Sequence, residues 1–118
     1  MNKIELEERT KKFAVDVIRL VASFPKSVPA DVVGRQLLRA GTSIGANYRE
    51  ANRAESRADF IHKLGIVEKE TAEAEYWLEL VSEAGILKES QIEPALREAN
   101  ELLRIFNRAN RSAKQSSN

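Results

Sequence analysis

The sequence contains no cysteine and a single histidine, His62, in 118 residues. The lack of thiols excludes disulfides, thiolate catalysis and the common structural zinc sites. A di-iron site in a helical bundle needs two Glu-x-x-His units and two further glutamates. The one carboxylate-x-x-His segment of this chain, Asp59 to His62, does not meet that requirement. We therefore expect no metal, no cofactor and no catalytic residue, and a protein that is not an enzyme.

Long apolar runs are also missing. No stretch approaches the roughly 20 apolar residues that a membrane-spanning helix needs. The N-terminal residues carry many charges, including Glu5, Glu7 and Arg9, and so do not resemble the apolar core of an export signal. These absences predict a cytoplasmic protein with no membrane contact.

The net charge is only +1, but the charges are unevenly placed. Residues 67–93 hold eight glutamates and two lysines, whereas residues 32–66 hold six basic and three acidic side chains. Residues 94–118 hold five basic side chains and two acidic ones. The whole chain therefore gives no global nucleic-acid signal, although two basic segments flank one acidic segment.

Apolar residues recur at alternating steps of four and three along four segments, which places them on one helical face in each segment. The predicted seams are Leu6, Thr10, Phe13, Val17, Leu20 and Phe24; Val33, Leu37, Ala40, Ile44, Asn47 and Ala51; Phe60, Leu64, Val67, Thr71, Ala74, Leu78 and Val81; and Ile92, Ala95 or Leu96, Ala99, Leu103, Phe106 and Asn110. No strand pattern interrupts them. The pattern predicts an all-α fold, an antiparallel up-down four-helix bundle with helices at about 3–24, 29–54, 56–84 and 90–111.

Several predicted helix ends coincide with capping residues or with proline and glycine, which are few in this chain. Pro25 stops the first helix because it lacks an amide hydrogen, and Gly85 suits the left-handed position after the third. The predicted N-caps are Asn2, Ser56 and Ser90, the last with Glu93 in a capping box. We assign residues 1–111 to a single four-helix domain and residues 112–118 to a disordered polar tail.

The segment Gly41–Glu50 lies inside the second predicted helix although its glycines disfavour a helix. Gly41 and Gly45 each cost about 1 kcal/mol relative to alanine, and their spacing places them on one side. The pair indicates either a close approach by another backbone or a local kink. We interpret the segment as a contact surface between subunits. The candidate oligomer-interface residues are Gly41, Ser43, Ile44, Gly45, Asn47, Tyr48 and Glu50.

Asn47 occupies a seam position that is normally apolar. A buried asparagine in a helical seam lowers stability but can fix register and partner number. Glu50 is placed to accept a hydrogen bond from it and Ser43 to donate one. The alternative is a group of solvated polar residues at the edge of the core.

Arginines form one stripe on the second predicted helix and another on the fourth. The candidate nucleic-acid contacts are Arg35, Arg39, Arg49, Arg53, Arg97, Arg104, Arg108 and Arg111. Guanidinium groups suit phosphate backbones because they stay charged and donate two hydrogen bonds at once. The alternative is pairing with the acidic third helix, or plain solvation.

Four segments carry a family resemblance: Phe24–Ser27, Gln36–Ala51, Ser56–Ile66 and Tyr76–Leu80. Together they resemble the bacterial four-helix-bundle family encoded in 23S rRNA intervening sequences, also called S23-type. The resemblance extends from about Phe13 to Arg108. Its most specific part is the Ser-Ile-x-x-Asn core at residues 43–47, followed by Tyr76-Trp77-Leu78.

The resemblance implies a bundle that assembles into a closed homopentameric ring. It also implies kinship with the accessory protein of diversity-generating retroelements, a basic pentamer associated with nucleic acid and a reverse transcriptase. No enzymatic activity is established for the family. Our hypothesis is a non-enzymatic homo-oligomeric scaffold that binds RNA or DNA weakly through its arginine rows. The alternative is a nucleic-acid-binding accessory subunit of a ribonucleoprotein or reverse-transcriptase complex.

Overall fold

A computed structural model describes residues 1–116 as four α-helices joined by short turns. The helices are α1 (Lys3–Ala22), α2 (Val28–Asn52), α3 (Arg57–Glu83) and α4 (Glu89–Gln115). Turns this short make successive helices antiparallel, and the molecule measures 49 × 21 × 21 Å. No strand occurs among the described residues. The predicted all-α four-helix fold is confirmed.

Side chains and one glycine fix three of the helix ends as the sequence predicts. Asn2 Oδ1 accepts a hydrogen bond from the Glu5 amide at 2.8 Å, and Ser56 Oγ accepts one from the Asp59 amide at 3.0 Å. Both bonds satisfy amides that have no partner within the helix. Gly85 has φ of 72°, in the left-handed region, which ends α3.

Helix α4 differs from its prediction at both ends. It begins at Glu89, where the Lys88 amide donates to Gln91 Oε1 at 3.0 Å, so Gln91 takes the capping role expected of Glu93. It continues to Gln115, four residues beyond the predicted end, because Ala113 is buried and its carbonyl accepts a hydrogen bond from Arg57 Nη2 at 3.1 Å. The predicted disordered tail is therefore wrong for residues 112–115. Residues 117–118 lie outside the described part of the chain.

The core runs along the bundle axis and receives side chains from all four helices. Its largest fully buried members include Phe13, Leu37, Ile44, Leu78 and Phe106. Each such side chain contributes about 1.5–3 kcal/mol relative to exposure. The predicted seams are confirmed with two shifts: Tyr48 is buried where Asn47 was expected, and Leu102 is buried where Leu103 was expected.

Packing is uneven around the bundle. Successive helices pack closely, whereas α1 and α4 make the sparsest of the helix–helix contacts. A groove of about 660 Å³ lies between these two helices, with Phe13 and Leu20 on one wall and Pro94 and Ala95 on the other. The α1–α4 seam is therefore the most sparsely packed of these helix–helix contacts.

Candidate functional site

The two glycines of α2 face α1 of the same molecule. A methyl group at Gly41 would lie 2.9 Å from Val17 Cγ1, and one at Gly45 would lie 3.1 Å from Thr10 Oγ1. Both glycines are buried. They permit the close approach of another helix that the sequence indicated, but that helix is α1 and not a second subunit.

The Thr10 hydroxyl under Gly45 is fully buried yet has a partner. Its Oγ1 donates to the Leu6 carbonyl at 2.9 Å, within its own helix. A buried hydroxyl with a hydrogen bond avoids the cost of an unsatisfied polar group. Thr10 therefore serves as a compact residue where α1 and α2 are closest.

Ile44 and Tyr48 lie in the core. Ile44 has no exposed surface, and Tyr48 is only 6 % exposed. The Tyr48 ring tilts against Phe106 of α4, with ring centroids 5.4 Å apart, and burial raises the pKa of the Tyr48 hydroxyl above its ordinary value. The expectation that Gly41, Ile44, Gly45 and Tyr48 face a neighbouring subunit is therefore corrected, since all four are internal in this fold.

The other three predicted interface residues lie at or outside the edge of the core. Asn47 is half-buried, and its Nδ2 donates to the Ser43 carbonyl at 2.8 Å within α2. The Ser43 hydroxyl donates to the Arg39 carbonyl, and Glu50 is exposed. The structure therefore supports the alternative of polar residues at the core edge more than a register-fixing asparagine.

Three of the four α2 arginines are engaged by carboxylates of the same chain. Arg39 Nη1 lies 3.0 Å from Glu70 Oε2 and its other terminal nitrogen bonds Glu73; the hydrogen bond to Glu73 is the main reason that the pKa of Arg39 is raised. Arg49 lies 3.7 Å from Glu8, and Arg35 lies 3.1 Å from Asp31. Arg39 thus pairs with the acidic third helix, which is the alternative given for these arginines, whereas Arg49 pairs with α1 and Arg35 pairs within α2. Arg53 is exposed beyond the helix end.

The arginines of α4 differ from those of α2 in how many of them have a carboxylate partner. Arg97 pairs with Glu93 one turn earlier, at 3.2 Å. Arg104, Arg108 and Arg111 are exposed, and none has a carboxylate oxygen within 4.0 Å among residues 1–116. They follow one another at steps of four and three on one helix, so they form a basic strip about 10 Å long. We call these three residues the α4 basic strip.

Acidic groups of α3 lie near this strip without pairing with it. Burial raises the pKa of the Glu75 carboxyl, the negative charge of Glu79 raises it further, and the positive charge of Arg104 lowers it. Arg104 therefore partly offsets a crowded pair of carboxylates, whereas Arg108 and Arg111 have no such neighbour described. The α4 basic strip is the part of the predicted contact set that remains open to an external anion.

The ion pair between α1 and α4 was missed by sequence reasoning. Arg9 of α1 and Glu98 of α4 form two parallel hydrogen bonds, Nε to Oε2 and Nη2 to Oε1, both 2.7 Å long. The bond to Glu98 is the largest reason that the pKa of Arg9 is raised, while burial opposes it. The residues are 89 positions apart, and no periodic pattern links them. This pair bridges the sparse α1–α4 seam.

The described residues offer little support for other kinds of site. Within residues 1–116, no group of three or more His, Asp or Glu side chains is arranged to hold a metal ion. None of the four helices combines the length and apolar character needed to cross a bilayer.

Comparison with known proteins places the fold. The sequence model described as 23S rRNA-intervening sequence protein matches residues 2–108. The chain belongs to this family. A solved structure at 1.70 Å of a protein of unknown function from the S23 ribosomal protein family of Bacteroides thetaiotaomicron is also similar. It shares 37% identity and a TM-score of 0.86, over 94% of this chain and 99% of that chain. A search of curated proteins found no match.

These comparisons confirm the resemblance to the family and the four-helix fold. The related Bacteroides structure is described as having unknown function, so family membership assigns no activity. The functional argument for this member of the 23S rRNA-intervening sequence protein family therefore depends on its own surface.

Proposed function

We propose that this chain is a non-enzymatic cytoplasmic scaffold that binds RNA or DNA weakly through the α4 basic strip. The observation that carries the proposal is that Arg104, Arg108 and Arg111 have no carboxylate partner within 4.0 Å in residues 1–116, whereas three of the four arginines of α2 do. An arginine that is already paired must lose that partner before it can bind a phosphate. Arg108 and Arg111 incur no such cost, and Arg104 has a longer-range attraction to Glu75 but no ion pair to break.

The strength of binding follows from the number of phosphates neutralised. Three contacts to duplex DNA give a salt slope of about −2.7, so the affinity falls about 40-fold between 50 and 200 mM salt. Binding of this kind positions a backbone and does not read bases. We therefore expect little sequence preference.

Anisotropy titrations of labelled RNA and duplex DNA at several salt concentrations test the proposal. The variant Arg108→Gln with Arg111→Gln loses two charges, so its slope on duplex DNA falls by about 1.8. The matched control is Arg35→Gln with Arg97→Gln, which removes the same charge from arginines that pair within their own helices. If both double variants weaken binding equally, net charge and not the α4 basic strip is responsible. Binding that does not depend on salt contradicts the proposal.

We also propose that the scaffold is homo-oligomeric, with a pentamer as the favoured state. The support is the family resemblance. A ring would also repeat the α4 basic strip in each subunit and so strengthen its positive field. Multi-angle light scattering should give roughly five times the chain mass of 13.3 kDa. A monomer mass at micromolar concentration contradicts the oligomer. The outcome of the nucleic-acid titration does not depend on that result.

A further inference from the structure

The outer face of α1, which points away from the core, carries three exposed apolar side chains. Ile4, Val15 and Ile18 are 74%, 36% and 48% exposed. Together with three further exposed positions they follow alternating steps of four and three along the helix. We call this set the outer stripe: Ile4, Glu8, Lys11, Val15, Ile18 and Ala22.

The spacing of the outer stripe is that of the a and d positions of a coiled coil. A surface helix in a monomeric bundle needs one apolar stripe, which α1 already has in Leu6, Phe13 and Val17. Isolated exposed apolar residues are ordinary, but three apolar side chains on one solvent-facing side of a helix suit contact with another helix. The two charged members at the centre of the stripe indicate which helix that is.

We propose that the outer stripe binds the outer stripe of a second copy of this chain in an antiparallel helix pair. In this pair Ile4 of each copy faces Val15 of the other, and Glu8 of each copy faces Lys11 of the other. The same two contacts occur twice because the pairing is related by a two-fold axis. On one flank, Glu5 of each copy comes opposite Lys12 of the other.

Charge selects both the direction and the register of this pair. A parallel pair would set Glu8 against Glu8 and Lys11 against Lys11, and like charges in contact are destabilising. An antiparallel pair that aligns Ile4 with Ile18 puts the two Lys11 side chains together at the two-fold axis. Aligning Ile4 with Ala22 sets Glu8 against Ile18. Of these arrangements, the proposed register matches apolar with apolar and acid with base.

The central charges can form such pairs without unfolding the monomer. The Glu8 side chain is 68% exposed, and its carboxylate lies 3.7 Å from Arg49 of α2 in a loose contact. Charged residues at seam positions specify partner and register at a cost in stability. We therefore expect an association that is selective and moderate in strength.

This contact is distinct from the ring proposed above. A ring uses two different surfaces on each subunit, whereas the outer stripe binds itself. If the chain forms rings, the contact between outer stripes joins two rings. If the chain does not form rings, the contact gives a dimer. The contact can therefore be tested whether or not the ring exists.

Introduced cysteines test the geometry directly, because the natural chain has none. The Ile4→Cys and Val15→Cys variants are mixed and oxidised with oxidised glutathione. Disulfides form between residues whose Cα atoms come within about 7 Å, so the mixture should give a several-fold excess of linked dimer over either variant alone. Mixing Ile4→Cys with Ala46→Cys, an exposed position on α2, controls for random collision. A yield no higher than this control overturns the proposal.

Charge reversal tests the register. Glu8→Lys and Lys11→Glu should each weaken association roughly tenfold or more in sedimentation equilibrium, because each places like charges in contact twice. The double variant Glu8→Lys with Lys11→Glu recreates two opposite-charge pairs and should recover the wild-type constant within about threefold. Both positions are exposed to solvent, and circular dichroism checks that the bundle is intact. The pairing is contradicted if the single reversals leave the association constant unchanged. It is also contradicted if the double variant does not restore the wild-type constant.

Discussion

Gly41 of α2 lies directly against Val17 of α1, with space for a hydrogen atom but not for a methyl group, which would sit 2.9 Å from Val17 Cγ1. Val17 is fully buried and branched at Cβ, so it has few ways to move aside. This contact sets how closely the first two helices approach each other. It explains why a residue that disfavours helices occupies the middle of α2.

Gly41→Ala should lower the free energy of unfolding by up to about 2 kcal/mol, because overpacking costs about 1–3 kcal/mol and alanine recovers only roughly 1 kcal/mol of helix stability. Gly65→Ala is the matched control, because its methyl would meet Asn110 Nδ2 at an ordinary 3.9 Å, and it should be stabilising by up to about 1 kcal/mol. Urea unfolding followed by circular dichroism measures both. Equal effects at the two glycines would show that the Val17 contact is not tight.

The phenol of Tyr48 should make stability depend on alkaline pH. Burial holds its pKa above the ordinary value in the folded state, so folding favours the protonated form. That contribution is fully present below about pH 10, the unfolded value, and is lost as the pH rises through the folded pKa. Wild type should therefore lose stability relative to Tyr48→Phe as the pH rises above about 10. The control Tyr76→Phe, at a 54% exposed position, keeps Tyr48, so its stability should fall with pH in the same way as that of wild type.

The Arg9–Glu98 pair should show measurable coupling across the α1–α4 seam. The side chains are 26% and 31% exposed and form two parallel bonds, so a double-mutant cycle with alanine should give about 1 kcal/mol. The pair Arg97–Glu93, at 76% and 49% exposure, should give about 0.3–0.5 kcal/mol. A coupling energy for Arg9–Glu98 no larger than that of the surface pair would show that the bidentate geometry adds nothing.

The last turn of α4 should contribute to stability. A chain ending at Arg111 loses buried Ala113 and the hydrogen bond from Arg57 to its carbonyl. Its free energy of unfolding should be about 1–2 kcal/mol lower than that of a chain ending at Ser116, which keeps α4 whole. If the two chains are equally stable, the turn makes no net contribution.

Much of the fold could be predicted from the sequence because its signals are local. The alternating steps of apolar residues located four helices, and Asn2, Ser56 and Gly85 act at helix ends through contacts within a few residues. The end of α4 could not be predicted in this way. It depends on Arg57 of α3, which lies 56 residues from Ala113 in sequence.

The candidate site was harder to predict, because its roles depend on which neighbour a face meets. Periodicity allows either Asn47 or Tyr48 on the α2 seam, and it is Phe106 of α4 that packs against Tyr48. The glycines indicated a close neighbour without identifying α1. Likewise, the acidic character of α3 predicted partners for arginines such as Arg39, but not that Glu8 of α1 would approach Arg49.

The sparse seam between α1 and α4 has a consequence for how the chain folds. Successive helices meet through contacts that are near in sequence, and such local contacts form quickly. The Arg9–Glu98 pair closes a loop of 89 residues, which costs more entropy than closing a hairpin between successive helices. Hairpins α1–α2, α2–α3 and α3–α4 should therefore assemble first, and the α1–α4 seam should close last. The same seam should be the first to open in hydrogen exchange under native conditions.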